Sequence, residues 1–405
     1  MSIMSPCPFR FAIRMPSDHK PNQLTQSLQH IRSQGHEILD LTVSNPTRCG
    51  LERPDSASIL NALKDTKSLT YAPVSKGDAT ARAGIADYYL RRGYTVDPDD
   101  LVLTSSTSEA YSMVFRLLCD PYDRILLASP TYPLIHELAE LNDIKTDTFP
   151  IRWISPHWRN ELPAIPASIR PTTRAIVCVS PNNPTGSVLS DADYQHISGY
   201  CADHSLALIV DEVFADYPLD PSSRVPSSVS NSGCLTFTLN GLSKVLALPQ
   251  AKLSWIHVSG PDHLKAKALE HLEHMADHYL SPNSFTINAM PAWFMYSADF
   301  QTPILRRIRN NLQYLSSIDQ RGFRLLRPDA GWYACLQVLC PPGSTQTDES
   351  ICLHLLENHH TLVHPGFFFD FETPGILVLS LLTPEESFAR GVSNLLQSLS
   401  EKMLI

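Results

Sequence analysis

The stretch Leu235-Thr-Phe-Thr-Leu-Asn-Gly-Leu-Ser-Lys244 decides the reading. It begins as a short β-rich run and breaks into a loop at a lysine. Three other strand-like segments end the same way. Ser205-Leu-Ala-Leu-Ile-Val210 runs into Asp211, Arg174-Ala-Ile-Val-Cys-Val179 into Ser-Pro-Asn-Asn-Pro-Thr-Gly186, and Leu101-Val-Leu-Thr104 into Ser105-Ser-Thr-Ser108. Runs with this near-continuous apolar character fit strands covered on both faces of a largely parallel sheet. In open sheets of that kind, ligands bind beyond the carboxyl ends of the strands. A lysine, an acid, an asparagine loop and a hydroxyl-rich helix start therefore converge on one edge. Together they suit a pyridine ring with an aldehyde and a phosphate tail, which is pyridoxal phosphate.

Each member has an ordinary reading beside the functional one. A helix cap accounts for Ser106-Thr107-Ser108, although free N–H groups at a helix start also suit a phosphate. Most lysines are solvated surface charges, but Lys244 is followed by the apolar run Val245-Leu-Ala-Leu-Pro249. A desolvated lysine near a second cation, here Lys252, loses its proton more easily and attacks aldehydes. Asp211 either caps a loop or keeps a pyridine nitrogen protonated, making the ring an electron sink. In Pro181-Asn-Asn-Pro-Thr-Gly186, two prolines and a glycine fix a tight loop that presents an asparagine. Tyr132, in Ser129-Pro-Thr-Tyr-Pro133, offers a ring face for stacking.

The rest of the chain predicts alternating strands and helices. Strands are expected at 101–104, 124–128, 175–179, 207–210, 236–239 and 253–259, and helices at 109–119, 134–141 and 191–204, the last capped by Ser190. After Pro261 the pattern becomes helical over 262–279 and 303–317. It then becomes a smaller α+β unit, with strands at 332–338 and 375–381, a loop at 341–347 and helices at 348–358 and 384–399. The Pro/Ser-rich stretch 218–233 reads as a surface loop. The expected fold is α/β, with a mostly parallel large-domain sheet covered by helices on both faces and a smaller α+β domain. The large, cofactor-binding domain spans 51–300. Residues 1–50 and 301–405 form the small domain from both termini.

Composition sets bounds. The chain has 405 residues, is 43% hydrophobic and 18% charged, and carries a net charge of −9, which argues against a nucleic-acid surface. Thirty-two prolines against 16 glycines predict many rigid loops. The nine cysteines (7, 49, 119, 178, 201, 234, 335, 340, 352) include no C-x-x-C pair, as for reduced core thiols in a cytoplasmic protein. No apolar run reaches membrane-spanning length, and residues 1–16 lack the apolar core of a signal peptide. His271, His274 and His278, with Glu270, Glu273 and Asp277, read as a solvated helix face and not as a metal site. His354, His359 and His360 read likewise. Phe367-Phe-Phe369 with Phe371, and Trp332-Tyr333, read either as core or as an apolar wall over a substrate.

Taken in order, Ser44-Asn-Pro-Thr47, Tyr71-Ala-Pro-Val-Ser-Lys-Gly77 with Arg82, Ser106–Ala110, Pro130-Thr-Tyr132, Pro181–Gly186, Asp211-Glu-Val-Phe214, Ser243-Lys244 and Pro365-Gly366 resemble the class I/II aminotransferases, pyridoxal-phosphate enzymes of the aspartate-aminotransferase fold (fold type I). The resemblance runs from about residue 39 to 396. It implies that Lys244 is the Schiff-base lysine and moves the substrate Cα proton. It further implies that Asp211 pairs with the pyridinium, that Asn183 reaches the ring oxygen and that Tyr132 stacks. Thr107, Ser108 and Lys252 would hold the phosphate, while Tyr71 would reach the phosphate of a partner subunit in a homodimer. The substrates implied are an amino acid and a 2-oxo acid, with Asn45 and Arg48 bordering them.

Four positions depart from the family pattern. Phe214 replaces a tyrosine, with Tyr217 as a possible substitute donor. Lys252 replaces an arginine, Gly241 replaces a serine, and Val378 stands where the substrate-carboxylate arginine is usual. Arg48 is the first candidate to take over that last role, ahead of Arg14 and Arg390. The alternatives are another pyridoxal-phosphate reaction on the same scaffold, such as a decarboxylase, racemase, lyase or cyclase, and a non-catalytic protein that binds the cofactor.

Overall fold

The computed structural model describes residues 11–15, 20–52, 54–318, 322–339 and 346–403. Cys7, Cys340, most of the expected 341–347 loop and residues 1–10 and 16 of the N-terminal segment lie outside the described residues.

Eight strands form the large sheet: β1 (Leu101–Thr104), β2 (Arg124–Ser129), β3 (Lys145–Ile154), β4 (His157–Asn160), β5 (Thr173–Val179), β6 (Ala207–Asp211), β7 (Thr236–Gly241) and β8 (Ser254–Ser259). Their order is β1-β8-β7-β6-β5-β2-β3-β4. The pairs β7·β6, β6·β5, β5·β2 and β2·β3 are parallel, as the apolar runs require. Two features differ from the sequence expectation. Strand β8 is antiparallel to both neighbours, and β3 turns back into β4 as an antiparallel hairpin. Strand β3 escaped notice because its residues alternate in burial and include charged side chains, as suits an edge that faces water on one side.

Helices cover both faces of this sheet. Helices α1 (Thr107–Leu118), α2 (Leu134–Leu141) and α4 (Asp262–Tyr279) pack on one face, where Ala110, Val114, Ile135 and Leu272 meet Val102, Ile125, Ile209 and Ile256. Helix α3 (Asp191–Asp203) packs on the other, with Tyr194 and Ile197 against Ile176 and Leu208. Its N-cap is Ser190, as expected, in a reciprocal capping box with Asp193. The long helix α5 (Ser297–Ser317) starts six residues before the expected position and carries Pro303 in its first turns. It also runs across residue 300.

The remaining strands are β9 (Phe323–Leu326), β10 (Tyr333–Val338), β11 (His364–Pro365) and β12 (Ile376–Ser380), which form a four-stranded antiparallel sheet in the order β9-β10-β12-β11. Helices α6 (Asp348–His359) and α7 (Glu385–Met403) pack with it. The N-terminal segment joins this unit: Leu39–Asp40 pairs in parallel with Thr361–Leu362, and Leu24, Ile31 and Leu41 share a core with Leu355, Val392 and Leu395. The sheet also sends a short segment against the large one. The backbone N–H groups of Asp329 and Ala330 donate to Gly186, and that of Gly331 donates to Tyr217. Gly186 has φ +69°, and a Cβ there would lie 2.5 Å from the Ala330 carbonyl oxygen, so only glycine admits this approach.

Candidate active site

The carboxyl ends of β1, β2, β5, β6 and β7 lie along one edge of the large sheet, together with the start of the antiparallel β8. This topology brings Ser105–Ser108, Tyr132, Asn183, Asp211 and Lys244 toward a common cleft, although up to 139 residues separate them (105 to 244).

Asp211 ends β6 and is buried. Burial lifts its carboxyl to about 6, and two donors oppose the shift: the Val213 N–H on Oδ1 and the Tyr111 hydroxyl on Oδ2, both at 3.1 Å. Tyr111 was missed in the sequence. It sits one turn into α1, and no motif signals that the helix aims its ring at a carboxylate 100 residues away. Lys244 lies in the single helical turn that follows β7. Its side chain is half-buried, and desolvation brings its amine down to about 8, with the Asp211 charge acting the other way. The Nζ stands 4.8 Å from the centre of the Trp332 ring and 5.5 Å from that of Phe214. These ring faces attract the protonated amine without donating or accepting a hydrogen bond.

Asn183 is buried, and its side-chain oxygen has no partner among the described residues. A buried amide left so costs about 1–3 kcal/mol, and such groups are satisfied by a ligand or by water. Tyr132 remains 43% exposed, and its hydroxyl is shifted up by burial and then by Glu137 and Asp211, which places it within electrostatic reach of the cleft acid. Helix α1 begins at Thr107. The Ser106 hydroxyl accepts from the Glu109 N–H, so the N–H groups of Thr107 and Ser108 stay outside the helix's own bonds. Lys252 is exposed, in the left-handed conformation at φ 52°.

Two further sequence candidates are bound up locally. The Asn45 oxygen accepts from the N–H and hydroxyl of Thr47, which closes an Asx turn. Arg48 is exposed, and its N–H donates to the Asn45 carbonyl. Neighbouring Ser44 lies close enough to the Tyr333 hydroxyl to favour its ionised form, and Ser380 Oγ donates to the Val43 carbonyl, so this N-terminal loop borders the small-sheet wall. Arg14 is paired with Asp143, and Arg390 is exposed on α7. Tyr71 is 84% exposed.

The departures from the family pattern now have physical form. Tyr217 does not stand in for a donor at position 214: it is fully buried, and its hydroxyl donates to the Lys244 backbone carbonyl. Phe214 packs edge-on to Trp332 at 5.3 Å, and Tyr217 does so at 5.0 Å. Val378 is completely buried, paired with Cys335 in the small sheet. The Trp332 ring is both core and wall, since it is wholly buried yet faces Lys244. Among the described residues no group of His, Cys, Asp and Glu could hold a metal, and the histidines of α4 line a solvated helix face with His271, His274 and His278.

The amine of Lys244 should therefore be unusually reactive in the cofactor-free protein. Its rate of reductive methylation should rise with a midpoint near pH 8, well below the ordinary lysine value of about 10.5. Asp211→Asn should move that midpoint lower still, because the carboxylate is what favours the charged amine. Peptide mapping of the label against pH checks both. A midpoint at the ordinary lysine value would mean that the amine is solvated.

Comparison with known proteins agrees with this geometry. The family model "Aminotransferase class I and II" matches residues 36–392. The chain is 25% identical over 379 residues to the glutamate-pyruvate aminotransferase of Haemophilus influenzae, covering 92% of this chain and 93% of that one. It is 29% identical over 360 residues to the arginine-pyruvate transaminase of Pseudomonas aeruginosa, covering 87% and 88%. Its fold superposes on the alanine aminotransferase of Pyrococcus furiosus with a TM-score of 0.86 at 21% identity, covering 97% of this chain and 100% of that one. The ordered strand-end motifs, the sheet that gathers them and these matches agree: the chain belongs to the class I and II aminotransferase family and has its fold-type-I architecture.

Proposed function

We propose that this protein is a pyridoxal-phosphate-dependent aminotransferase that moves an amino group from an amino acid to a 2-oxo acid, with Lys244 as the catalytic residue. The observation that carries the reading is a lysine amine already poised to lose its proton near neutral pH, in the same cleft as a buried carboxylate. Family membership adds support, and so do relatives named for transfer to or from pyruvate.

The residues fit the cofactor. The unpaired Asn183 oxygen marks an amide with no protein partner, and Thr107 and Ser108 leave N–H groups free at a helix start. When bound, pyridoxal phosphate supplies an aldehyde for an amine and a ring that draws electrons from the substrate Cα. The Lys244 amine would hold the cofactor aldehyde and, when free, would take the Cα proton. Asp211 keeps a proton on the ring nitrogen, and Tyr111 and the Val213 N–H hold its carboxylate in place. The Asn183 amide NH2 would donate to the ring oxygen, and Tyr132 would stack. Thr107, Ser108 and Lys252 hold the phosphate, with Lys252 acting as a point charge where arginine would grip with two bonds. Tyr71 completes the phosphate site of a partner chain. Its 84% exposure, with Leu69 at 76% and Met295 at 81%, leaves apolar surface for a second copy to cover. The catalytic domain spans 51–300, and residues 1–50 and 301–405 form the small domain, in keeping with the Leu39–Thr361 pairing. The seven described cysteines form no disulfide and no described helix is long and apolar enough to cross a membrane, which suits the cytoplasm.

Val378 brings no charge to the substrate carboxylate, so we assign that role to Arg48, beside Asn45 on the loop that meets Tyr333 through Ser44. A second reading, a different pyridoxal-phosphate reaction in which the carboxylate leaves or is absent, is favoured by Val378 alone.

Four measurements test these assignments. Purified protein supplied with cofactor should be yellow, and borohydride should fix the cofactor on the Lys244 peptide. Offered single amino acids, it should convert the cofactor to its amine form, with alanine and glutamate to be tried first. Release of carbon dioxide, or turnover of an amine that has no carboxylate, would favour the second reading instead. Arg48→Ala should raise KM for the amino donor more than tenfold, about 1.4 kcal/mol of binding, with the bound-cofactor absorbance unchanged. An unmoved KM would remove Arg48 from the site. Light scattering should give the mass of two chains, and a fully active monomer at nanomolar concentration would contradict the shared site.

A further inference from the structure

Three strand ends meet beside the phosphate end of the proposed site. Thr104 of β1 and Gly241 of β7 both lie opposite Ser254, the first residue of β8 between them. Side chains opposed across a ladder point to the same face of a sheet. Two residues back along these strands, the same face carries Val102, Ile256 and Leu239, all packed under α1. Ser254 therefore points to the α1 face, one row nearer the strand ends, where that helix begins at Thr107.

Ser254 is 1% exposed, and its hydroxyl has no hydrogen-bond partner among the described residues. Gly241 explains why there is room for it. A Cβ built on Gly241 would lie 2.1 Å from Ser254 Oγ and 2.9 Å from Ser254 Cβ. Positions 241 and 254 thus compete for one space, and only one of them can fill it with a side chain. The backbone N–H groups of Thr107 and Ser108 are open at the start of α1, and Lys252 lies two residues before Ser254. A hydroxyl with no protein partner is open to an acceptor, and a phosphate oxygen is an acceptor that suits the free N–H groups and the cation of this neighbourhood.

We propose that the Ser254 hydroxyl binds the phosphate of the cofactor, occupying the space that a serine at position 241 would otherwise fill. This rests on the reading that pyridoxal phosphate occupies the cleft, and it adds a binding residue to that reading. It also accounts for Gly241: the glycine is required because the hydroxyl comes from the facing strand.

The test compares pyridoxal phosphate with pyridoxal, which lacks the phosphate, by equilibrium dialysis against the full-length protein. Ser254→Ala should weaken pyridoxal phosphate binding at least tenfold and leave pyridoxal within twofold. Inorganic phosphate should also compete less well against the remaining binding. Gly241→Ser alone should be destabilised, because its side chain collides with Ser254. Gly241→Ser combined with Ser254→Gly removes both colliding atoms and should restore the preference for the phosphorylated form to within about threefold of the parent. Equal pyridoxal phosphate affinity in Ser254→Ala, or equal losses for both ligands, would overturn the proposal. If Ser254→Ala does not fold, the double variant decides, and a folded double variant without the preference would overturn the proposal too. Borohydride mapping separates the two layers. Label on Lys244 with unchanged affinities rejects Ser254 alone, whereas a parent protein that binds no pyridoxal phosphate rejects both.

Discussion

A carboxylate and an amine desolvated in one cleft form the constraint around which this molecule is organised. Asp211 and Lys244 end neighbouring parallel strands, and burial pushes both toward their neutral forms. Each opposes the other's shift, so neither can be moved without altering its partner. The protein adds the charge of Glu212, which pushes the acid further toward its neutral form. It supplies directed but neutral support: a tyrosine hydroxyl and a backbone N–H on the acid, and two aromatic faces beside the amine. Water in their place would solvate both ions and return both groups to their ordinary values.

This geometry depends on contact between the two sheets. The segment from Pro328 to Trp332 lies against Gly186 on one side and Tyr217 on the other. Gly186 closes the loop that carries Asn183, and Tyr217 holds the backbone carbonyl of Lys244. Trp332 then continues into β10 and presents its ring to the Lys244 amine. One stretch of the small unit thereby fixes both the amide loop and the lysine turn. Any shift of the small sheet relative to the large one would be felt at both.

The departures from the family pattern look different in three dimensions than in sequence. Phe214 and Tyr217 divide the work of one aromatic position: Phe214 borders the amine and Tyr217 fixes the main chain behind it. Gly241 is matched by the side chain of Ser254 across the ladder. Val378 differs from both of these: it is sealed in the small sheet between Cys335 and His364 on the flanking strands, and burial pushes the His364 imidazole toward its neutral form. Gly241 is thus met by a facing residue, whereas Tyr217 supports the main chain and leaves the donor at position 214 unreplaced.

The sequence alone determined the strand-end residues and the sheet that gathers them. Buried parallel strands are short apolar runs bounded by polar loops, a local signal that also displays Lys244, Asp211 and Asn183 at their ends. Capping chemistry is equally local, so Ser190 was legible as the start of α3. Tertiary structure alone decided what depends on pairing between distant segments. The antiparallel setting of β8, which brings Ser254 opposite Gly241, is a matter of topology, and a single apolar run reads the same in either direction. The Tyr111–Asp211 bond and the Tyr217–Lys244 contact join residues 100 and 27 positions apart, and nothing in a local pattern encodes where a ring will point. The values near 6 and 8 likewise follow from burial, a property of the packed chain and not of any stretch of it.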